Sequence, residues 1–196
     1  NRFYTGSHLA QIEAYKDIEQ ALKAARPVIL AKGARGVELI MHPNRGLKRR
    51  VLGVIDVALP VVHGTNTEDG TLQGFLEYFD LPYAGPDVGA SACGMDKWAM
   101  KALFFARGLP VLPAVLIERA HFFSDSERAL ERVEQTLSYP IIVKPRVGGS
   151  SVGVTLAHDR AGLERACLEA LDYSRDAICE RAVTDLREIN CAVLGD

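Results

Sequence analysis

The stretch "YPIIVKPRVGGSSVGVTLA", Tyr139 to Ala157, ends an apolar run in Lys144 and Pro145 and then gives way to glycine and serine. A cation at a strand end, followed by backbone almost free of side-chain bulk, suits phosphate. Unshielded N–H groups can point at phosphate oxygens, and Ser150 and Ser151 add hydroxyl donors. Lys144 adds a compact positive charge, and Gly148 and Gly149 let the loop open and close. A plain glycine hairpin beside an exposed lysine uses the same residues, so the rest of the chain must decide between the two.

Two other chemistries compete for the loop. A Walker-type P-loop places its lysine after the glycines and a helix next. Here Lys144 precedes them and a β pattern follows, which excludes it. "GSSVG", Gly149 to Gly153, matches the G-x-S-x-G of a serine hydrolase with Ser151 as nucleophile. That motif requires a strand-to-helix turn and a later histidine. "VTLA" reads as β, and His158 is the only later histidine and too near in sequence. The hydrolase is kept as the reading of a different class, testable by fluorophosphonate labelling. A non-catalytic ATP-binding module is a third.

The neighbours favour a nucleotide. "MDK" places Lys97 at a helix start, where it could equally be a helix-start lysine. In "ICERAVTDLREI", Glu180 ends a strand, and Ala182 and Val183 form an apolar link whose backbone can face an adenine edge. Glu188 is a carboxylate able to accept both ribose hydroxyls. Glu180 and Glu188 could instead be exposed strand residues. Their order along the chain carries more weight than any one of them.

These residues need elements to hold them. Helical spacing covers Lys16–Ala25, Thr71–Asp80 with Leu72, Phe75, Leu76 and Phe79 on one face, and Met95–Gly108 with Met95, Trp98, Ala99, Ala102, Leu103 and Ala106 in one stripe. Gly108 closes the last of these. Ser124 with Glu127 three residues on reads as a capping box for a helix to Leu137, and another helix covers Asp159–Tyr173. "RPVILAK" and "GVELIMHP" read as strands joined through Gly33 and Gly36. "IDVALPVVHG" is nearly continuous apolar sequence, as in a strand buried on both faces at the middle of a parallel sheet. Further strands are expected at "LPVLPAVLIE", "PIIVK", "VGVTLA", "DAICERA" and "REINCAVLG". The expected fold is α/β: a parallel-sheet N-terminal domain at 1–94, then an α+β domain at 95–196 that carries the glycine loop.

The totals are those of a globular protein. The chain has 196 residues, 48 % hydrophobic and 24 % charged, with a net charge of −2. That balance gives no electrostatic reason for nucleic acid or an anionic membrane as partner, and Lys48-Arg49-Arg50 reads as a solvated turn. No apolar run is long enough to span a bilayer. Cys93, Cys167, Cys179 and Cys191 lack CxxC spacing and sit among apolar neighbours, so they read as buried thiols in a reducing compartment. The five histidines form no metal-ligand pair.

Taken in order, "HGTNTEDGTLQG", "CGMDK", "KPRVGGSSVGV" and "REINCAVLG" resemble the D-alanine–D-alanine ligases of the ATP-grasp superfamily, over nearly the whole chain and most densely from Asp56 onward. The resemblance implies an ATP-grasp central domain. It also implies ATP-dependent joining of two D-alanines for peptidoglycan through an acyl phosphate, with magnesium, in a cytoplasmic homodimer. Lys97 and Lys144 match the lysines that hold the nucleotide phosphates, and Ser150 and Ser151 the serine pair of the loop. Ser150 also matches a hydrogen-bond relay at the first substrate. Glu180, Ala182 and Val183 match the adenine segment, and Glu188 the ribose carboxylate. His63 and Glu68 match the pair that arranges the first D-alanine, although Glu68 and Asp69 also suit a helix N-terminus on charge alone. Arg181 stands where lysine is common, and Leu186 where glycine often precedes "RE". The family's ammonium-binding glutamate falls before Asn1, and its magnesium carboxylates and phosphate arginine after Asp196. The chain therefore reads as a segment expected to bind ATP weakly at most and to release no phosphate alone. D-lactate or D-serine ligases of the same fold share these motifs.

Overall fold

The structure, a computed structural model, describes residues 3–43, 46 and 49–195. Lys48 of the basic run lies outside them. The chain divides into two compact units, Asn1–Gly89 and Ala90–Asp196.

The first unit is built on a four-stranded antiparallel sheet of β1 (Phe3–Thr5), β2 (Arg26–Gly33), β3 (Gly36–Met41) and β4 (Val51–Ile55), in that order. Two short 3₁₀ turns and α1 (Ile18–Ala24) separate β1 from β2. Asp17 caps α1 by accepting the Gln20 N–H. The β2–β3 turn closes Gly33 onto Gly36, whose φ of 121° is open to glycine. Val37 packs with Leu76 and Leu81, and Leu72, Phe75 and Phe79 of α2 (Thr71–Tyr78) cover that cluster.

The expected parallel sheet is not what forms here. All strand ladders among the described residues are antiparallel, and the one parallel pairing is the isolated bridge Ala58–Tyr83. Residues 56–63 are not a buried strand; Val61 is 81 % exposed. An apolar run becomes a two-sided buried strand only when ladders flank it. This one has the single bridge.

In the second unit a four-stranded antiparallel sheet has the order β5 (Ala114–Glu118), β8 (Asp176–Arg181), β6 (Ile141–Pro145), β7 (Thr155–Ala157). Helix α3 (Val88–Met95) crosses the division between the units, and α4 (Lys97–Ala106), α5 (Arg119–Ser124), α6 (Ser126–Thr136) and α7 (Arg160–Tyr173) complete the unit. Helix α7 shows why the core sits where it does. Leu163, Ala166, Cys167, Ala170 and Leu171 recur at helical spacing and are all buried against the sheet. Each such large side chain contributes about 1.5–3 kcal/mol. Asp159 starts the helix by accepting the Gly162 N–H at 2.7 Å.

Several local expectations change. Asp125, not Ser124, caps α6, accepting the Arg128 N–H; Ser124 ends α5 and donates to the His121 carbonyl. A carboxylate at the break between two helices displaces the hydroxyl one residue earlier. The Met95–Gly108 pattern splits at Asp96, so Met95 ends α3, and the α4 stripe is not buried. Gly108 does close α4, with φ 72°. Residues 187–195 form no strand and are exposed, because no ladder partner stands beside them among the described residues. Cys167 and Cys179 are buried thiols 3.9 Å apart, whereas Cys191 is exposed.

Candidate functional site

Strand alternation places the charges. In β6, Ile141, Val143 and Pro145 face the core, which turns Ile142 and Lys144 to the other face. In β8, Ala177 and Cys179 face the core, which turns Ile178 and Glu180 the same way. The register sets Lys144 opposite Ile178 and Ile142 opposite Glu180, so Lys144 and Glu180 are diagonal neighbours on one face. Lys144 Nζ donates to Glu180 Oε2 at 2.5 Å.

Helix α4 supplies two more cations to that face. Lys97 and Lys101 lie one turn apart. Lys101 Nζ lies 2.7 Å from Glu180 Oε1, and Lys97 Nζ donates to the Gly148 carbonyl at 2.8 Å. The start of α4 is fixed by Asp96, whose Oδ1 accepts the N–H groups of Trp98 and Ala99. Arg146 then ties three elements together. Its guanidinium bonds Asp96 through two nitrogens, and its Nη1 donates to Asp176 Oδ2 at 3.1 Å. Its carbonyl accepts the Lys97 N–H at 3.0 Å.

Burial pushes the Glu180 carboxyl up, but the hydrogen bonds from Lys101 and Lys144 and their charges outweigh it and hold it below its ordinary value. Asp96 behaves likewise: burial raises it, and Arg146 with the α4 amides brings it below the usual range. Lys97 is pushed down, first by burial and then by the neighbouring Lys144 ammonium. A folded carboxylate pKa below the unfolded one gives stability that is complete above the unfolded value and disappears as pH falls through the folded value. Urea unfolding free energy is therefore expected to hold steady from about pH 7 to 5 and to fall below about pH 4.5. Asp96→Asn should make that fall shallower, and an unchanged slope would count against the Arg146 clamp as its source.

The glycine loop leaves β6 with Gly148 at φ 136°. Ser150 and Ser151 both take left-handed conformations, at φ 52° and 56°. Non-glycine residues held there cost about 1–3 kcal/mol each and mark sites where backbone direction matters. Added side chains at Gly148 or Gly149 would meet open space within 4 Å. After Ser151 the chain enters β7, a strand, whereas a hydrolase elbow needs a helix there.

The structure thus brings Lys97, Lys144 and Glu180 together beside the glycine loop that carries Ser150 and Ser151. Glu180 serves the lysines. The Ala182 N–H, expected to face an adenine, donates to the Pro140 carbonyl at 3.0 Å. Val183 and Glu188 lie in the irregular, exposed stretch that follows β8. In the first unit, His63 Nδ1 stands 3.4 Å from Glu68 Oε1, and Glu68 Oε2 accepts the Gly64 N–H at 2.5 Å. That backbone bond first, and His63 second, lower the Glu68 pKa. Asp69 holds the same loop by accepting from Asn66 and Thr71. Sequence reasoning missed Lys101, Arg146 and Asp176. Lys101 had a signal, its spacing of four from Lys97; the partners of Arg146, 50 and 30 positions away, had none.

Among the described residues, no group of three or more His, Cys, Asp or Glu side chains could hold a metal ion, and no helix is long and apolar enough to cross a membrane.

Comparison with known proteins places these features in one family. The model of the D-ala D-ala ligase N-terminus matches residues 2–86, and that of the D-ala D-ala ligase C-terminus matches residues 103–196. The chain is 47 % identical over 142 residues to a D-alanine–D-alanine ligase of Heliobacterium modesticaldum, covering 72 % of this chain and 38 % of that protein. It is 43 % identical over 140 residues to one of Enterococcus gallinarum, covering 71 % and 44 %. Among solved structures, the VanG D-Ala:D-Ser ligase of Enterococcus faecalis superposes with a TM-score of 0.74 at 29 % identity, covering 93 % of this chain and 50 % of that one. The D-alanine–D-alanine ligase of Helicobacter pylori gives 0.70 at 26 %, covering 92 % and 51 %. The chain spans about two-fifths of the length of these curated relatives.

Proposed function

Since the chain belongs to the D-alanine–D-alanine ligase family, we propose that it supplies the N-terminal and central portions of an ATP-dependent ligase. The reaction joins two D-alanines through an acyl phosphate for peptidoglycan synthesis, in a cytoplasmic homodimer. The carrying observation is the gathering of Lys97 and Lys144 beside a loop that offers backbone and hydroxyl donors. These residues suit a polyphosphate: two partly buried ammonium groups, open space over Gly148 and Gly149, and two serines held in left-handed turns. Bound ATP supplies the phosphoryl group that activates the first carboxylate.

In this reading Lys97 and Lys144 neutralise phosphate charge, which phosphoryl transfer needs more than a protein nucleophile. The loop amides and Ser151 hold phosphate oxygens, and Ser150 orients the first substrate. Glu68 stays ionised and orients the His63 ring toward that substrate. Glu180, Ala182 and Val183 border the base, and Glu188 takes the ribose. Magnesium belongs to the same reaction and is not assigned to residues of this chain. The domain division is taken at 1–94 and 95–196.

Lys144→Met is expected to weaken ATP binding by about tenfold to a hundredfold, the weight of a charge-assisted phosphate contact. Titration calorimetry on the natural protein checks it, and unchanged affinity removes the phosphate role. Phosphate release dependent on D-alanine tests the activity as a whole. A D-serine arm, prompted by the VanG D-Ala:D-Ser ligase, tests the second substrate. No release with either amino acid overturns the proposal.

A further inference from the structure

Glu180 accepts from two lysines that differ in what they can do. Lys144 stands at the mouth of the glycine loop with its side chain 27 % exposed, while Lys101 is 14 % exposed and anchored in α4. The carboxylate between them is 7 % exposed, one oxygen to each ammonium. If Lys144 is to turn toward a phosphate, it must give up Glu180 Oε2. A buried carboxylate stripped of all cations is costly, which would hold Lys144 in place.

We propose that Lys101 is a positioning residue for nucleotide binding: by staying on Glu180 Oε1, it lets Lys144 leave Oε2 for a phosphate. The inference rests on the nucleotide reading above, in which Lys144 binds phosphate. Lys101 touches no substrate in this scheme and acts through Glu180 alone. Its charge matters because it divides the hold of Glu180 between two cations. Without it, the whole carboxylate charge falls on Lys144, and phosphate has to compete with an undivided buried ion pair. Lys97 cannot replace it, since its ammonium is committed to the Gly148 carbonyl.

The scheme gives an epistasis that a merely structural lysine does not. ATP affinity is measured by calorimetry on the natural protein, well below each variant's melting temperature. Lys101→Met is expected to weaken ATP binding by about tenfold, within the ordinary range of coupling between sites. Lys101→Arg, which keeps the charge, should stay near the parent. Adding Glu180→Gln to Lys101→Met should recover at least about fivefold of the loss, because the neutral amide releases Lys144. Lys101→Met within twofold of the parent overturns the inference, as does failure of Glu180→Gln to recover affinity. Should Lys101→Met not fold, Glu180→Gln is compared with Lys101→Met/Glu180→Gln: equal affinity supports action through Glu180, and a tenfold gap overturns it. If Lys144→Met leaves ATP binding unchanged, the nucleotide reading itself fails; if Lys144→Met weakens binding and Lys101→Met does not, only this inference fails.

Discussion

Replacing Glu180 by alanine is expected to lower the unfolding free energy of the 90–196 unit by about 3–5 kcal/mol. The figure follows from what the deletion leaves behind, not from the strength of the bonds. Lys101 and Lys144 would stand side by side with no carboxylate between them, and Lys97 already feels the Lys144 charge. Lys144 can swing its partly exposed head into water. Lys101 cannot do so as readily, so most of the cost falls there. Urea denaturation at neutral pH measures it. A loss under about 1 kcal/mol would mean that both ammonium groups reach solvent once the carboxylate is gone, and that the cluster is a surface feature.

A second large effect is expected at Gly153. Its φ of 69° lies in the left-handed region, and an added Cβ would come 2.5 Å from Tyr173 Cδ2 and 2.9 Å from Pro145 Cγ. Tyr173 is exposed and its ring can turn aside. Pro145 is buried at the end of β6 and cannot. The left-handed conformation costs an alanine about 1–2 kcal/mol, and the overpacking adds about 1–3 kcal/mol. Gly153→Ala is therefore expected to cost about 2–5 kcal/mol, a fall in Tm of roughly 10 °C or more. Gly149→Ala, with open space around its Cβ, should stay within about 0.5 kcal/mol of the parent. Thermal unfolding of the two variants side by side checks the contrast. Equal melting temperatures would show that the loop at Gly153 repacks freely.

The two units differ in how much of them the sequence shows. In 90–196 the periodicities are strong and undivided. The α7 stripe, the alternation of β6 and the glycine break after Lys144 each have one reading, and the lysines fall on one face once the strands are paired. The partners of those lysines were not visible. Arg146 reads locally as one more polar loop residue, and only the folded sheet brings Asp96 and Asp176 to it. In 1–89 the apolar run at 56–63 has a composition that fits a central parallel strand. Composition does not say whether neighbouring strands flank it, and here the pairing is limited to Ala58 and Tyr83. The stretch after Arg181 fails for the same reason: "REINCAVLG" has strand composition and no ladder. His63 and Glu68 are adjacent as expected, but the loop that joins them is built by carboxylates bonding backbone amides, which residue spacing does not display.

The strand order β5-β8-β6-β7 has a bearing on the timing of synthesis. The strand that comes last in sequence lies between two that precede it, and β5 and β6 share no ladder of their own. While the ribosome is still making residues 114–175, the nascent chain has α6 and the β6–β7 hairpin but no central strand to join them. The interior-facing side of α7 then has nothing to pack on but half a sheet. Emergence of Asp176–Arg181 closes both ladders and delivers Glu180 to the lysines in one event. Such late, long-range closure slows folding and leaves unpaired strand edges open to aggregation in the meantime. A ribosome stalled before Asp176 clears the exit tunnel should hold a protease-sensitive chain, and one stalled well after Arg181 a resistant one.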